Sequence, residues 1–179
     1  MFGNTLATEI LSAEGVADIV SLTQHPLARI NESFAFCHHG GWYECSMQTH
    51  ALCMKHIKPS APYAMYDFVE CNFGNLGQND ADNNRLCAKN ASIPYETLWK
   101  CATGYGGDSG PGLLLASAQL ADSVHVNMAP TVFLEGKEMG NTLTLKQVCD
   151  AYTGPKPPGC KQADDTLASK VATGTTCHK

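Results

Sequence analysis

Nine cysteines stand between Cys37 and Cys177 in a chain of 179 residues, and no other feature narrows its possible folds as sharply. Their wide spread resembles a disulfide framework more than a single metal site, and it argues for an oxidising compartment. Two N-x-[ST] triplets, at Asn31 (Asn31-Glu32-Ser33) and Asn90 (Asn90-Ala91-Ser92), point the same way as candidate glycosylation sites. The N-terminus lacks a charged segment followed by an apolar one, so no signal peptide is expected in this chain. Spacing leaves most pairings open. Cys149 with Cys160 is the pair expected first, because the Gly- and Pro-rich stretch between them can fold back. Closing that loop is worth about 3 kcal/mol on the chain-entropy estimate.

A hydrophobic content of 44% in this length supports one domain with a real core. The net charge of -5, with Lys and Arg scattered, provides no basic field for phosphate backbones or anionic lipid. Nucleic acid and membrane are therefore not expected partners. The longest apolar stretch, Leu113 to Ala118 with its continuation to Ala121, is interrupted by Ser117 and Gln119 and falls short of a membrane span.

Phe2, Leu6 and Ile10 recur every fourth residue up to a stop at Gly15, which predicts a helix over Phe2 to Ala13. The β-branched run Val16 to Leu22, closed by Thr23-Gln24-His25-Pro26, predicts a buried strand. Helical patterning resumes from Tyr43 to Ile57, breaks at Pro59 and Pro62, and returns from Tyr63 to Cys71. The Asn-, Asp- and Gly-rich segment Asn72 to Asn84 reads as loop. Further helices are expected from Pro94 to Ala102 and from Leu113 to Ala121, separated by a glycine-rich stretch from Gly104 to Gly112. Pro130 then opens a strand, Thr131 to Leu134, that ends in a Gly turn. A last helix is expected from Leu143 or Thr144 to Tyr152. The polar tail 161–179 is expected to be mobile.

Residues 37 to 53 read Cys37-His38-His39-Gly40-Gly41-Trp42-Tyr43-Glu44-Cys45-Ser46-Met47-Gln48-Thr49-His50-Ala51-Leu52-Cys53. This resembles the signature C-Q-H-G-x-x-E-C-x-x-N-x-x-x-x-C of the gamma-interferon-inducible lysosomal thiol reductase family. Cys37, His39, Gly40, Glu44, Cys45 and Cys53 match. His38 stands for Gln, Gln48 stands for Asn, and one extra residue lies between Gly40 and Glu44. The downstream cysteines Cys71, Cys87, Cys101, Cys149 and Cys160 follow in the family's order, so the resemblance covers roughly residues 17 to 160. The eight cysteines from Cys37 to Cys160 are structural disulfide candidates, whereas Cys177 has no counterpart in the family pattern.

The resemblance implies an α/β, thioredoxin-like domain over residues 1–160, with a large helical insertion at about 42–121. It also implies a cis proline, matching Pro130, which with Ala129 offers backbone to a substrate. The implied activity is reduction of disulfides in protein substrates, without a cofactor or metal, in lysosomal or extracellular space. Such enzymes use a C-x-x-C at a helix start. One thiolate attacks the substrate disulfide, and the second resolves the mixed disulfide. No C-x-x-C occurs in the 179 residues, so no catalytic residue can be assigned. In the family that pair precedes the helix placed here at Phe2 to Ala13, and the strand that should carry it is missing too. A sheet without that strand loses several backbone pairings at about 1–3 kcal/mol each, a sum that rivals a domain's stability of roughly 5–15 kcal/mol. Met1 is accordingly expected to be an internal methionine, with a signal peptide, a strand and the C-x-x-C upstream. An in-frame stop directly before Met1, with no upstream exon encoding a C-x-x-C, would refute this expectation. The alternative is a non-catalytic, disulfide-stapled secreted binding or accessory protein.

Two other patterns compete. His38, His39, Cys45, His50, Cys53 and His56 could be metal ligands. However, helix positions six apart lie about 120° around and roughly 9 Å along the axis, a poor tetrahedral face. Gly107-Asp108-Ser109-Gly110-Pro111-Gly112 is similar to the nucleophile loop of chymotrypsin-like proteases. No segment resembles the surround of those enzymes' histidine, and the many short strands of a double barrel are absent. Ser109 is expected to be a loop residue between two helices.

Overall fold

The computed structural model describes residues 6–31, 34–37, 41–61, 63–75 and 80–161. Along them run α1 (Leu6–Leu11, wound with the wider π-type turn), β1 (Ala28–Asn31), β2 (Phe34–Cys37), α2 (Trp42–Ile57), α3 (Ala64–Gly74), α4 (Asp80–Asn90), α5 (Tyr95–Thr103), α6 (Gly110–Ser123), β3 (Val132–Leu134), β4 (Lys137–Gly140) and α7 (Leu145–Ala151). The protein is thus mixed α and β. Its strands form two separate antiparallel pairs, β1 with β2 and β3 with β4, among the described residues. Contacts gather in two units, one of Leu22–Met128 and one joining Met1–Ser21 to Ala129–Lys179.

In the first unit α2 is the hub. His50, Ala51, Leu52, Cys53 and Met54 are buried in succession, so this stretch of helix has no solvent face, as expected of a helix enclosed on all sides. It packs on α3, α4, α5, α6 and β2. The core around it includes Met65 and Phe68 of α3, Leu98 and Ala102 of α5, and Leu114 and Ala118 of α6. Burying each large apolar side chain is worth about 1.5–3 kcal/mol. Gly110 explains how closely α6 approaches. A Cβ there would lie 2.7 Å from both the Ala102 carbonyl oxygen and Thr49 Cβ, so any larger residue would push α6 away from α5 and α2. Ser117 of α6 donates a 3.0 Å hydrogen bond to the Pro26 carbonyl, which ties down the chain entering β1.

The second unit contains α1, the β3–β4 hairpin and α7. Leu6, Ile10 and Val16 are buried, and α7 packs on α1. A capping box opens α7. Gln147 N donates to Thr144 Oγ1 at 3.2 Å, and Thr144 N donates to Gln147 Oε1 at 2.8 Å. The hairpin turns through Glu135 and Gly136, with φ of 49° and 77°, the left-handed pair that matches strand twist in a two-residue loop. Gly15, with φ of 72°, closes the turn after α1, where a Cβ would meet Pro157 Cβ at 2.8 Å.

Several expectations are corrected. Val16 to Leu22 is not a strand. Its backbone closes local turns, with Val16 N donating to Ala13 O and Ile19 N to Val16 O. Chain propensity for extended structure is not enough without a neighbouring strand to take up the amides and carbonyls. The segment Asn72 to Asn84 is not all loop: α3 runs on to Gly74 and α4 begins at Asp80. Asp80 and Asp82 complement the α4 N-terminal dipole, and buried amides of Asn83 and Asn84 bond across to other helices instead of into turns. α6 starts inside the glycine-rich stretch, at Gly110, because Ser109 caps it and Pro111 suits its first turn. The first helix is described from Leu6 to Leu11. Its earlier residues, Met1 and the tail from residue 162 lie outside the described residues. The β1–β2 hairpin was not anticipated at all.

Four disulfides close the framework: Cys37–Cys45, Cys53–Cys101, Cys71–Cys87 and Cys149–Cys160. The last is the pair expected from the sequence. Cys53–Cys101 spans 48 residues and Cys71–Cys87 spans 16, so loop-closure entropy ranks the first as the stronger staple, at about 4 against about 3 kcal/mol. Paired alanine variants should show that order in urea unfolding at equilibrium, with Cys53→Ala/Cys101→Ala losing more stability than Cys71→Ala/Cys87→Ala. The opposite order would show that native contacts, and not chain entropy, set the values.

Candidate functional site

The signature segment straddles the junction of β2 and α2. Cys37 ends β2, wholly buried, and its sulfur bonds to Cys45 in the opening turns of α2. Cys53, further along α2, bonds to Cys101 on α5. Glu44 stands in the first turn of α2, where a carboxylate complements the helix dipole, and it accepts a 3.1 Å hydrogen bond from Gln48 Nε2. The structure therefore brings Cys37 to Cys45 and Glu44 to Gln48. His38, His39 and Gly40 lie outside the described residues.

Ala129 and Pro130 belong to the other unit. The bond between them is cis, and both residues are exposed just ahead of β3. Of the glycosylation candidates, Asn31 ends β1, exposed and paired with Phe34. Asn90 ends α4, also exposed.

Part of each competing pattern is otherwise engaged, while His38 and His39 lie outside the described residues. Cys45 and Cys53 have their sulfurs in disulfides, so neither is free to bind a metal, and the His50 ring is held against Tyr95. No group of three or more His, Cys, Asp or Glu among the described residues could hold an ion. Ser109 is a buried cap whose hydroxyl donates to the Gly106 carbonyl at 2.6 Å and accepts from Gly112 N at 3.4 Å. It is engaged in holding the start of α6.

A polar layer between α2, α3 and α4 escaped the sequence reading. Asn83 Nδ2 donates to the Asn72 carbonyl at 3.2 Å and to Tyr43 Oη at 3.3 Å. Asn84 Nδ2 donates to Ser46 Oγ and to Asp80 Oδ1, each at 3.2 Å. Next to it His50 is buried, with Nδ1 2.7 Å from the Ser46 carbonyl and its ring stacked on Tyr95 at 6.1 Å between centroids and 6° between planes. The Arg85 guanidinium lies 5.0 Å from the centre of the same Tyr95 ring. Arg85 and Tyr95 also line an open depression of about 400 Å³ with Lys89, Ser92, Ile93 and Pro94. The available clue was the i, i+4 spacing of Ser46 and His50. The partners on α4 and α5 lie too far along the chain for spacing to reveal them.

Burial holds the His50 imidazole below its ordinary value of 6.5, against the smaller opposing pull of the Ser46 carbonyl and Asp80. Burial, and then Lys55, lower His25 as well. Burial raises Asp67 above 3.8. No family model matches this chain, and neither a curated protein nor a solved structure matches it. Among the described residues no helix is long and apolar enough to cross a membrane.

A histidine whose folded pKa is lowered takes up protons more readily when unfolded. Its stabilising contribution is whole above about 6.5 and shrinks as pH falls toward the lowered value. Asp67 acts lower, its raised pKa returning some stability as pH falls toward 3.8. The melting temperature should therefore decline from pH 7.5 to pH 5. His50→Phe, which preserves a ring against Tyr95, should flatten that slope without abolishing it, because His25 titrates in the same direction. An unchanged slope in the variant, measured by circular dichroism melts across that pH range, would mean that His50 does not titrate as its burial requires.

Proposed function

We propose that this chain belongs to a thiol–disulfide oxidoreductase of the gamma-interferon-inducible lysosomal thiol reductase family, reducing disulfides of protein substrates in lysosomal or extracellular space. The observation that carries this reading is the Cys37–Cys45 bridge, which pairs the first two cysteines of the family-like signature across the β2–α2 junction. The remaining cysteines up to Cys160, in the order the family uses, close three further bridges, and disulfides of this number fit an oxidising compartment. The exposed cis bond at Ala129–Pro130 agrees with a proline that lends backbone to an extended substrate. On this reading the fold is thioredoxin-like, with α2 to α6 as the helical insertion.

The chemistry needs a thiolate to attack one sulfur of the substrate disulfide. A new S–S bond forms, the substrate bond breaks, and a second thiolate then displaces the substrate's remaining sulfur as a thiol. The eight cysteines from Cys37 to Cys160 are all oxidised and supply neither thiolate. The 179 residues also contain no C-x-x-C. On this reading the redox pair is supplied by cysteines other than these eight, and the chain as given is expected to be inactive.

The same complete pairing favours a second reading, a non-catalytic, disulfide-stapled secreted binding or accessory protein. Insulin reduction with an added small thiol separates the two. The chain as given should be inactive. The chain extended by the sequence its genomic locus encodes upstream should be active and should lose activity when either cysteine of the added C-x-x-C becomes serine. Inactivity of both forms would favour the accessory protein, and activity of the short chain would overturn the placement of the redox pair.

A further inference from the structure

The way α4 ends poses a question that its packing does not answer. Ile93 N donates to the Ala88 carbonyl at 2.9 Å and Ser92 N to the Lys89 carbonyl at 2.9 Å, the two bonds that define a Schellman cap. Ile93 and Ala88 are both buried in the same core, the apolar contact that accompanies such a cap. The residue at the crossing point must turn left-handed, and glycine is the ordinary choice there because it has no Cβ to clash. Here that residue is Ser92, with φ of 55°. It is exposed, and its hydroxyl makes no hydrogen bond to any described residue. The backbone disfavours a side chain at this point, and the fold makes no use of the one present.

The hydroxyl has a role in the sequence, since Ser92 is the third residue of the triplet Asn90-Ala91-Ser92. We propose that Asn90 carries an N-linked oligosaccharide, and that serine occupies a glycine position at the end of α4 because its hydroxyl completes the acceptor triplet. Asn90 is the last residue of α4 and is exposed, as is Ser92; its Nδ2 donates a long 3.7 Å contact to Cys71 Sγ, and the proton that remains on a substituted amide can keep that contact while a bulky polar group occupies the surface. The compartment is suited to the modification, because the four disulfides require the same oxidising environment. The donor is an oligosaccharide held through its reducing-end N-acetylglucosamine to a lipid diphosphate. Asn90 Nδ2 forms a bond to the anomeric carbon, the bond from that carbon to the diphosphate oxygen breaks, the lipid diphosphate leaves with the electron pair, and the amide loses one proton. The assignment does not rest on the reductase reading. The other triplet, at Asn31, has Glu32 and Ser33 outside the described residues.

The test uses the full chain behind a cleavable export signal in cultured eukaryotic cells, collected from cells and medium together. Deglycosylation with a peptide amidase in heavy-oxygen water should convert Asn90 to labelled aspartate, read by peptide mass spectrometry, and Ser92→Gly should abolish that label. An unlabelled Asn90 overturns the proposal, whatever is found at Asn31. A second measurement examines why serine is there. In the Asn90→Gln background, which has no glycan at this point, adding Ser92→Gly should raise the melting temperature by about 2 °C as the left-handed clash is relieved. An equal or lower value would show that Ser92 serves the fold, and would overturn the reason given for its presence.

Discussion

The structure depends above all on the anchoring of α2 by two covalent bonds. Cys45 ties the start of the helix to β2, and Cys53 ties its buried middle to α5. Between and beyond those points His50 to Met54 are enclosed by other elements on every side. A helix with no solvent face gains a great deal from burial, but only once its neighbours have assembled around it. The two bridges restrict the unfolded chain so that those neighbours are never far away. Cys71–Cys87 does the same for α3 and α4, with Asn83 bonding α4 to the Asn72 carbonyl of α3 and Asn84 bonding it to Ser46 of α2. The helical unit is thus held by a modest core, by polar bonds and by chain constraint together.

That division of labour bears on conditions as well as on architecture. Desolvation holds both the His50 and the His25 imidazoles below their ordinary value, so the helical unit is weakened by mild acid, while disulfides are indifferent to it. Four bridges in a small chain supply a constraint that does not depend on pH in this range. The amide and hydroxyl bonds of Asn72, Asn83, Asn84 and Ser46 in the polar layer likewise join uncharged groups.

Much of the helical order was legible along the chain. The periodicity from Tyr43, the breakers Pro59 and Pro62, and the proline before Tyr95 each act within a few residues, and the observed helices lie where those local effects put them. α4 was hidden, because Asp, Asn and Arg are ordinary loop residues unless something buries them. Here Cys87 and the α2–α3 surface do so. Val16 to Leu22 erred in the other direction, since β-branched residues favour extended structure only when a partner strand accepts their backbone bonds. In the candidate site, the signature cysteines could be recognised from spacing. Their mates could not, except for Cys149 and Cys160, whose short Gly- and Pro-rich connection left little choice.

By itself the sequence determined the cysteine inventory, the absence of a C-x-x-C within these residues, the proline and glycine breaks that bound several of the helices, and the acceptor triplet at Asn90. Those properties reside in neighbouring residues, and local chemistry is enough to establish them. Only the tertiary structure decided that Cys45 pairs with Cys37 and Cys53 with Cys101, that His50 stacks on Tyr95, and that Ser92 turns left-handed at the end of α4. Each of these depends on which distant segments pack together, and that is set by the burial of the whole core around α2, not by any stretch of the chain alone.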